Sequence, residues 1–241
     1  MAKQSGLGDN LYIDGVDLSG DVGAVGRVSG GPSLLDVTGI DKSGHERIGG
    51  LRDGSVVFTS YFNPARAHPK LNDLPTGDVQ LMYCRGTSLG SPAAALIAKQ
   101  IGYDGERGDD GSFTFEVEAL ANGYGLEWGR QLTAGKRTDT AATNGSSIDD
   151  SAASSHGLQA YLQVFAFTGT SATVKIQQSS DNGAGDAWAD VASFLAATGV
   201  GGQRITAAGS VERYLRVVTT GTFTSITFAV VVVRNETAVS F

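Results

Sequence analysis

A mainly β chain is predicted by three observations: an excess of glycine, short runs in which apolar and polar residues alternate, and turn-forming dipeptides between those runs. Glycine fills 34 of 241 positions, roughly twice the ~7% of average proteins. Charged residues are only 18%, and the mixture suits many strands and turns better than long helices. The length allows one large β domain or two smaller ones. We predict two: residues 1–135 with a long arm at 38–55, a linker at 136–156, and a small β-sandwich at 157–241.

Asn10 to Leu18 and Gly23 to Ser29 alternate as strands, with Ser19-Gly20-Asp21 as the turn of a hairpin. Gly30-Gly31-Pro32 breaks the pattern and Leu34 to Val37 resumes it. The stretch from Asp36 to Phe62 then sets a polar, glycine-punctuated excursion against Val56 to Phe62, which is rich in β-branched and aromatic residues. The excursion carries Asp41, Lys42, His45, Glu46, Arg47, Arg52 and Asp53, with glycines at 39, 44, 49, 50 and 54. Connections this long in a compact domain are usually functional or disordered, and we read this one as a surface arm that meets a partner.

Asn63-Pro64 starts a short helix over Ala65 to Leu71, ended by Leu74-Pro75. Val79 to Arg85 is a strand covered on both faces. Ala93 to Ile101 fits a helix after Ser91-Pro92 or a strand built on Leu96, Ile97 and Ile101. Phe113 to Ala119 alternates most clearly, with Phe113, Phe115, Val117 and Ala119 on a core face and Thr114, Glu116 and Glu118 on an acidic one. Leu126 to Leu132 closes this half.

From Thr133 to His156 apolar anchors nearly vanish, which reads as a linker or mobile loop. Strands follow at Leu158 to Phe167, Thr173 to Gln178, Arg204 to Thr206, Tyr214 to Thr219 and Ser225 to Arg234. Turns such as Thr168-Gly169-Thr170, Asp181-Asn182-Gly183 and Thr220-Gly221 separate them at the short spacing of a β-sandwich. Trp188 and Phe194 are expected to plug its core.

A formal net charge of -7 with no Lys/Arg-rich block argues against tight nucleic-acid binding. The longest apolar run, Phe228 to Val233, is far short of the ~20 residues of a membrane helix, so no membrane is expected. MAKQSGLGDN holds no apolar signal core, and production in the cytoplasm is the expectation. With Cys84 the only cysteine, no internal disulfide can form.

Gly86-Thr87-Ser88-Leu89-Gly90 matches the nucleophile-elbow pattern G-x-S-x-G. A hydrolase would use Ser88 as nucleophile, Asp139 or Asp149 as orienting acid and His156 as base, yet the alternation of helix and strand that builds such a fold is missing. An ordinary turn is the simpler reading, and no catalytic residue is assigned. Glu116 and Glu118 stand about 6 to 7 Å apart along one strand face, but neighbours on a strand do not flank a scissile bond as glycosidase carboxylates must. Asp181-Asn182-Gly183 with Asp186 lacks EF-hand spacing. His45, His68 and His156 have no metal-ligand spacing, and Gly135-Lys136-Arg137-Thr138 has Arg137 where a phosphate loop would place its Ser/Thr. Neither metal nor cofactor is expected.

Gly6 to Leu18, the Asp36-Val37-Thr38 entry to the arm, Gly50-Leu51-Arg52-Asp53-Gly54 ahead of a strand, and Asp110 to Asn122 resemble the tail tube (major tail) proteins of long-tailed bacteriophages, over roughly Gly6 to Leu132. Ile176-Gln177-Gln178-Ser179-Ser180-Asp181, Trp188, Glu212-Arg213-Tyr214-Leu215-Arg216-Val217 and the closing valine strand are similar to small β-sandwich domains attached to phage structural proteins. The resemblance implies a β-sandwich or barrel with a flanking helix, six copies in a ring joined by sheet continuation, and rings stacked around a lumen that double-stranded DNA crosses without tight binding. It further implies other tail proteins as partners, such as a tape measure and a terminator, assembly in the bacterial cytoplasm, a place in the virion, and a C-terminal domain decorating the outside.

Head-to-tail rings close through heterologous interfaces, and the arm with Asp41, Lys42, His45, Glu46, Arg47, Arg52 and Asp53 would supply the stacking contact. Glu116 and Glu118, if they face the lumen, would repel DNA phosphates. Leu158 to Phe167 and Ser225 to Val233 are expected to be edge strands with few charges, aggregation hazards in a monomer and interfaces in an assembly. The alternative is a carbohydrate- or host-surface-binding module in which Trp188 and Tyr214 stack on a sugar.

Overall fold

The computed structural model describes residues 5–74 and 77–239. Residues 1–4, in the stretch read for a signal, and Pro75, read as a helix stop, lie outside the described residues. In chain order the elements are β1 (Asn10–Ile13), β2 (Val16–Asp17), β3 (Val22–Asp36), β4 (Arg47–Tyr61), α1 (Ala67–Leu71), β5 (Val79–Cys84), β6 (Pro92–Gln100), β7 (Asp104–Arg107) and β8 (Phe113–Ala121). Then come β9 (Glu127–Gln131), β10 (Arg137–Asp139), β11 (Asn144–Asp149), β12 (Leu158–Ser179), β13 (Ala189–Ser193), β14 (Gly201–Ala207) and β15 (Tyr214–Arg234). The mainly β expectation holds, with antiparallel ladders and one short helix among the described residues.

The chain forms two compact units that interleave in sequence: one holds the chain up to Ser19, Gln80–Ala95 and Trp128 onwards, the other Gly20–Val79 and Leu96–Glu127. The first unit is organised by β12 and β15, which pair from Leu158↔Arg234 to Ser179↔Tyr214. β14 and β13 extend successive parts of β12, while β9, β10 and β11 pair with β15, so Leu158 to Phe167 and Ser225 to Val233 lie inside the sheet and are not the edge strands expected from sequence. Leu158, Ala160, Leu162 and Val164 of β12 pack with Leu215, Val217, Ile226, Phe228, Val230 and Val232 of β15 in the buried core.

Two turns expected from sequence are absent here. At Thr168-Gly169-Thr170 the ladder continues through register shifts, and at Thr220-Gly221 it runs on in regular register, Thr173↔Thr220 and Ala172↔Gly221, so each presumed pair of strands is one long strand, the first bent at a bulge. Gly169 permits the bend: at φ +149 a Cβ there would lie 2.4 Å from Phe223 Cα. Phe194 is core, but Trp188 is only half-buried and does not plug it.

Thr133 to His156 is likewise not an unstructured linker, since β10 and β11 both pair with β15. Its anchor is polar. Arg137 donates to both carboxylate oxygens of Asp139 at 2.7 and 2.8 Å, and Asp139 also accepts from Thr219 Oγ1 at 2.7 Å. Ile148 adds a buried apolar contact.

The first hairpin is also shorter than expected. Asp14 and Gly15 both take positive φ, 40° and 77°, which suits a two-residue hairpin turn, so β1 and β2 pair with each other rather than with Gly23 to Ser29. β1 lies along β5, which is buried on both faces as predicted. Ala93 to Ile101 resolves as strand β6, its Ala93 to Leu96 all buried.

In the second unit β3 and β4 form a long hairpin. The proximal part of β4, Ser55 to Tyr61, also pairs with β8, which carries β7 at its start and meets β6 at its end. Val56, Phe58, Phe115, Val117 and Ala119 are buried with Ala67 and Leu71 of α1, while Phe113 is 42% exposed. α1 begins two residues later than expected because Asn63 first caps a turn, its Oδ1 accepting from Ala65 N–H at 3.0 Å.

Candidate assembly surface

Beyond Ser55 the hairpin is a two-stranded ribbon. Arg47 to Gly54 pairs only with β3, and the outer edge of β3 carries no partner strand among the described residues. The arm expected at 38–55 is therefore strand from Arg47 onwards, and its loop is confined to Val37 to Glu46. Gly49 and Gly50 do not end the strand: Gly49 pairs with Leu34, and the ladder resumes at Pro32↔Arg52 after a register shift.

The loop is closed at its base by polar contacts. Thr38 N–H donates to Asp36 at 3.0 Å, Glu46 N–H donates to Thr38 Oγ1 at 2.9 Å, and His45 Nδ1 lies 2.9 Å from Asp36 Oδ2. The Thr38 hydroxyl, with its backbone N–H and His45, holds the Asp36 carboxyl below the usual carboxylate range. Lys42 Nζ lies 3.6 Å from Glu46 and 3.8 Å from Asp41.

The seven predicted contact residues thus fall into separate groups. Asp41, Lys42, His45 and Glu46 belong to the loop, Arg47 opens β4 opposite Asp36, and Arg52 and Asp53 lie at the ribbon's base. There Arg52 Nη2 is 3.3 Å from the buried Glu127 carboxylate, and Asp53 Oδ1 accepts from Gly54 N–H.

The ribbon's apolar side chains escaped the sequence reading, which followed its charges. Leu34 is 69% exposed, Leu51 86% and Ile40 fully so, with Leu35, Val37 and Ile48 exposed as well. The signal was present as apolar residues at Leu34, Leu35, Ile48 and Leu51, but a free ribbon has no core face against which to assign them.

Glu116 is exposed on β8, with Asp104 of β7 as its direct ladder partner. Glu118 accepts from Arg27 Nη2 at 2.7 Å, so one of the two acids is paired.

Other sequence motifs fall elsewhere. Gly86 to Gly90 joins two strands, β5 and β6, instead of a strand and a helix. Asp139 and Asp149 are each held by an arginine, Arg137 and Arg213, and His156 is anchored through its backbone, its N–H donating to Ser154 Oγ and its C=O accepting from Asn235 Nδ2. Asp149 is held well below the carboxylate range by Arg213. Lys136 pairs with Asp17. His68 Nδ1 lies 2.9 Å from the Tyr103 hydroxyl.

Burial raises Asp181, yet backbone N–H groups of Gly185, Asp186 and Ala184 outweigh it and hold the carboxyl low, which makes Asp181 the brace of its own loop. Trp188 has Arg216 over its ring at 4.3 Å, and Gly183 is so near that an added Cβ would lie 2.5 Å from Nε1. Tyr214 carries Arg213 at 4.9 Å. Protein groups thus already cover both aromatics proposed as sugar platforms.

No family model and no curated protein matches the sequence. Among the solved structures to which the chain is similar are tail, hub and baseplate components of phages and phage-like particles, those named here all below 20% identity and below a TM-score of 0.5. The native gene transfer agent virion has a chain similar at 16% identity and TM-score 0.41, over 51% of this chain and 97% of that one. The tail of the empty gene transfer agent particle, of C6 symmetry, gives 17% and 0.40 over 51% and 97%. The Dit protein of phage SPP1, described as a hub adsorption apparatus, gives 13% and 0.33 over 92% and 98%.

Proposed function

We propose that this protein is a structural subunit of a phage tail tube, closing into rings that stack around a passage for DNA. The observation that carries the reading is the β3–β4 ribbon. It extends past its sheet, leaves one edge of β3 without a partner strand among the described residues, and exposes Leu34, Leu35, Ile40, Ile48 and Leu51 beside paired charges. An apolar surface of that kind on a strand edge is an aggregation hazard in a lone molecule and an interface in an assembly.

In this reading the ribbon makes the contact between rings, with Asp41, Lys42, Glu46 and Arg47 setting its register through charge. Glu116 and Asp104 supply the negative face toward DNA. A tape measure, a terminator and other tail proteins are the expected partners, and the virion is the expected location.

Sedimentation velocity at rising concentration tests the contact. Wild-type protein should form large species, and Leu51→Asp should abolish them while leaving the far-UV circular dichroism spectrum unchanged. Unaltered association of Leu51→Asp together with Leu34→Asp would remove the ribbon from the interface.

A further inference from the structure

A second feature, independent of the ribbon, lies in the first unit. Trp128 and Arg130 of β9 and Val232 and Arg234 of β15 line an open cleft of about 290 Å³, with Asp150 beyond the end of β11 and Glu236 completing its polar wall. The register Val232↔Arg130 places these side chains on adjoining strands. Trp128 is 50% exposed, unlike Trp188.

Behind the indole the polar wall is fixed and incompletely satisfied. Arg130 is held by Gly90 C=O at 3.1 Å and Asp149 C=O at 3.0 Å, and it pairs with Asp150 Oδ1. The Asp150 and Arg234 side chains are only 10% and 8% exposed, and Arg234 also pairs with Glu236 at 2.8 Å. Yet Asp150 Oδ2 and Arg234 Nε have no hydrogen-bond partner, being 3.8 Å from each other. Buried polar atoms without partners are rare, and each calls for a reason, a bound water or ligand group among them.

We propose that this cleft binds a neutral pyranose, the ring stacked on Trp128 and its hydroxyls hydrogen-bonded by the Arg130–Asp150–Arg234 network. Three features select that class. The volume of about 290 Å³ lies just under the ~300–1,000 Å³ of small-molecule sites, so the ligand is small. A half-exposed indole offers a flat apolar face with a polar rim, the pairing that a pyranose presents in turn. The two guanidiniums are matched by two carboxylates, which removes the net field that would favour a phosphate or an ammonium. Hydroxyls, which both donate and accept, suit paired arginine and aspartate groups better than an ion does.

The test uses the full chain with Trp188→Phe, which leaves Trp128 as the sole tryptophan and reporter. Methyl glycosides of glucose, galactose, mannose and N-acetylglucosamine are titrated while its emission is followed. At least one should give a saturable change, weakened about tenfold or more in Asp150→Asn, as expected when a partner in a polar recognition site is lost. Should Trp188→Phe not fold, the two indole N–H signals of wild-type protein provide the same readout by NMR. No saturable change with any of the four glycosides, a response retained in Asp150→Asn, or tighter binding of glucose 6-phosphate than of methyl glucoside would overturn the proposal.

Discussion

Gly30 stands directly opposite Gly54 in the β3–β4 ladder, and Leu126 packs across both. This is where the ribbon leaves its sheet. A Cβ at Gly54 would lie 2.6 Å from Leu126 Cβ and 2.6 Å from its backbone nitrogen, and one at Gly30 would lie 2.9 Å from Leu126 Cβ. Neither site has room for a methyl group. Gly54→Ala should therefore cost about 1–3 kcal/mol, the range for overpacking a closed site, as read by urea denaturation. Gly44→Ala in the loop meets nothing within 4 Å and should be close to neutral.

Asp139 is 4% exposed and binds Arg137 through both oxygens. Asp139→Ala leaves the guanidinium without that partner, and the loss should be about 3 kcal/mol. Asp139→Asn, which keeps one acceptor, should lose less. Hydrogen exchange should localise the effect to β10 and β11, the segment that composition alone presents as a linker.

Asp21 is buried against Arg66, whose Nε donates at 2.7 Å, with Asn63 donating at 2.8 Å. The Arg66 contact, aided by Asn63, holds the carboxyl below its ordinary value of 3.8. A depressed folded-state pKa adds stability that is present above the unfolded value and lost as pH falls through the folded one. Wild-type protein should therefore lose this contribution below pH 3.8. In Asp21→Asn it should be missing already at neutral pH, with a correspondingly flatter acid limb. Parallel acid limbs for the two proteins in thermal melts would contradict the assignment.

Burial pushes the Cys84 thiol up to about 12, and only the thiolate reacts readily. Native protein at pH 8 should resist a thiol-directed disulfide reagent, and one equivalent should react in denaturant.

How far the sequence was legible follows from how local each signal was. Strict alternation from Phe113 to Ala119 and the turn chemistry of Asp181-Asn182-Gly183 carry their structure within a few residues, and both match the fold except at Phe113, which is exposed at the strand's start. Glycine between apolar runs marks a bulge, as at Gly169, or an unbroken strand, as at Gly221 opposite Ala172, as readily as a turn, and only pairing across the sheet decides between them. The strands in 133–156 were missed because their anchor, Arg137 with Asp139 and Thr219, joins residues about eighty positions apart. The ribbon's charges were evident, whereas the exposure of its leucines and isoleucines needed the ladder to show it. The Trp128 cleft was invisible, since its residues come from β9, β15 and the chain beyond β11.

The central claim is that the ribbon makes this chain self-assemble, and negative-stain electron microscopy of the purified protein tests it most directly. Rings at low concentration and stacked tubes at high concentration are the predicted result. Uniform monomers at every concentration would contradict it.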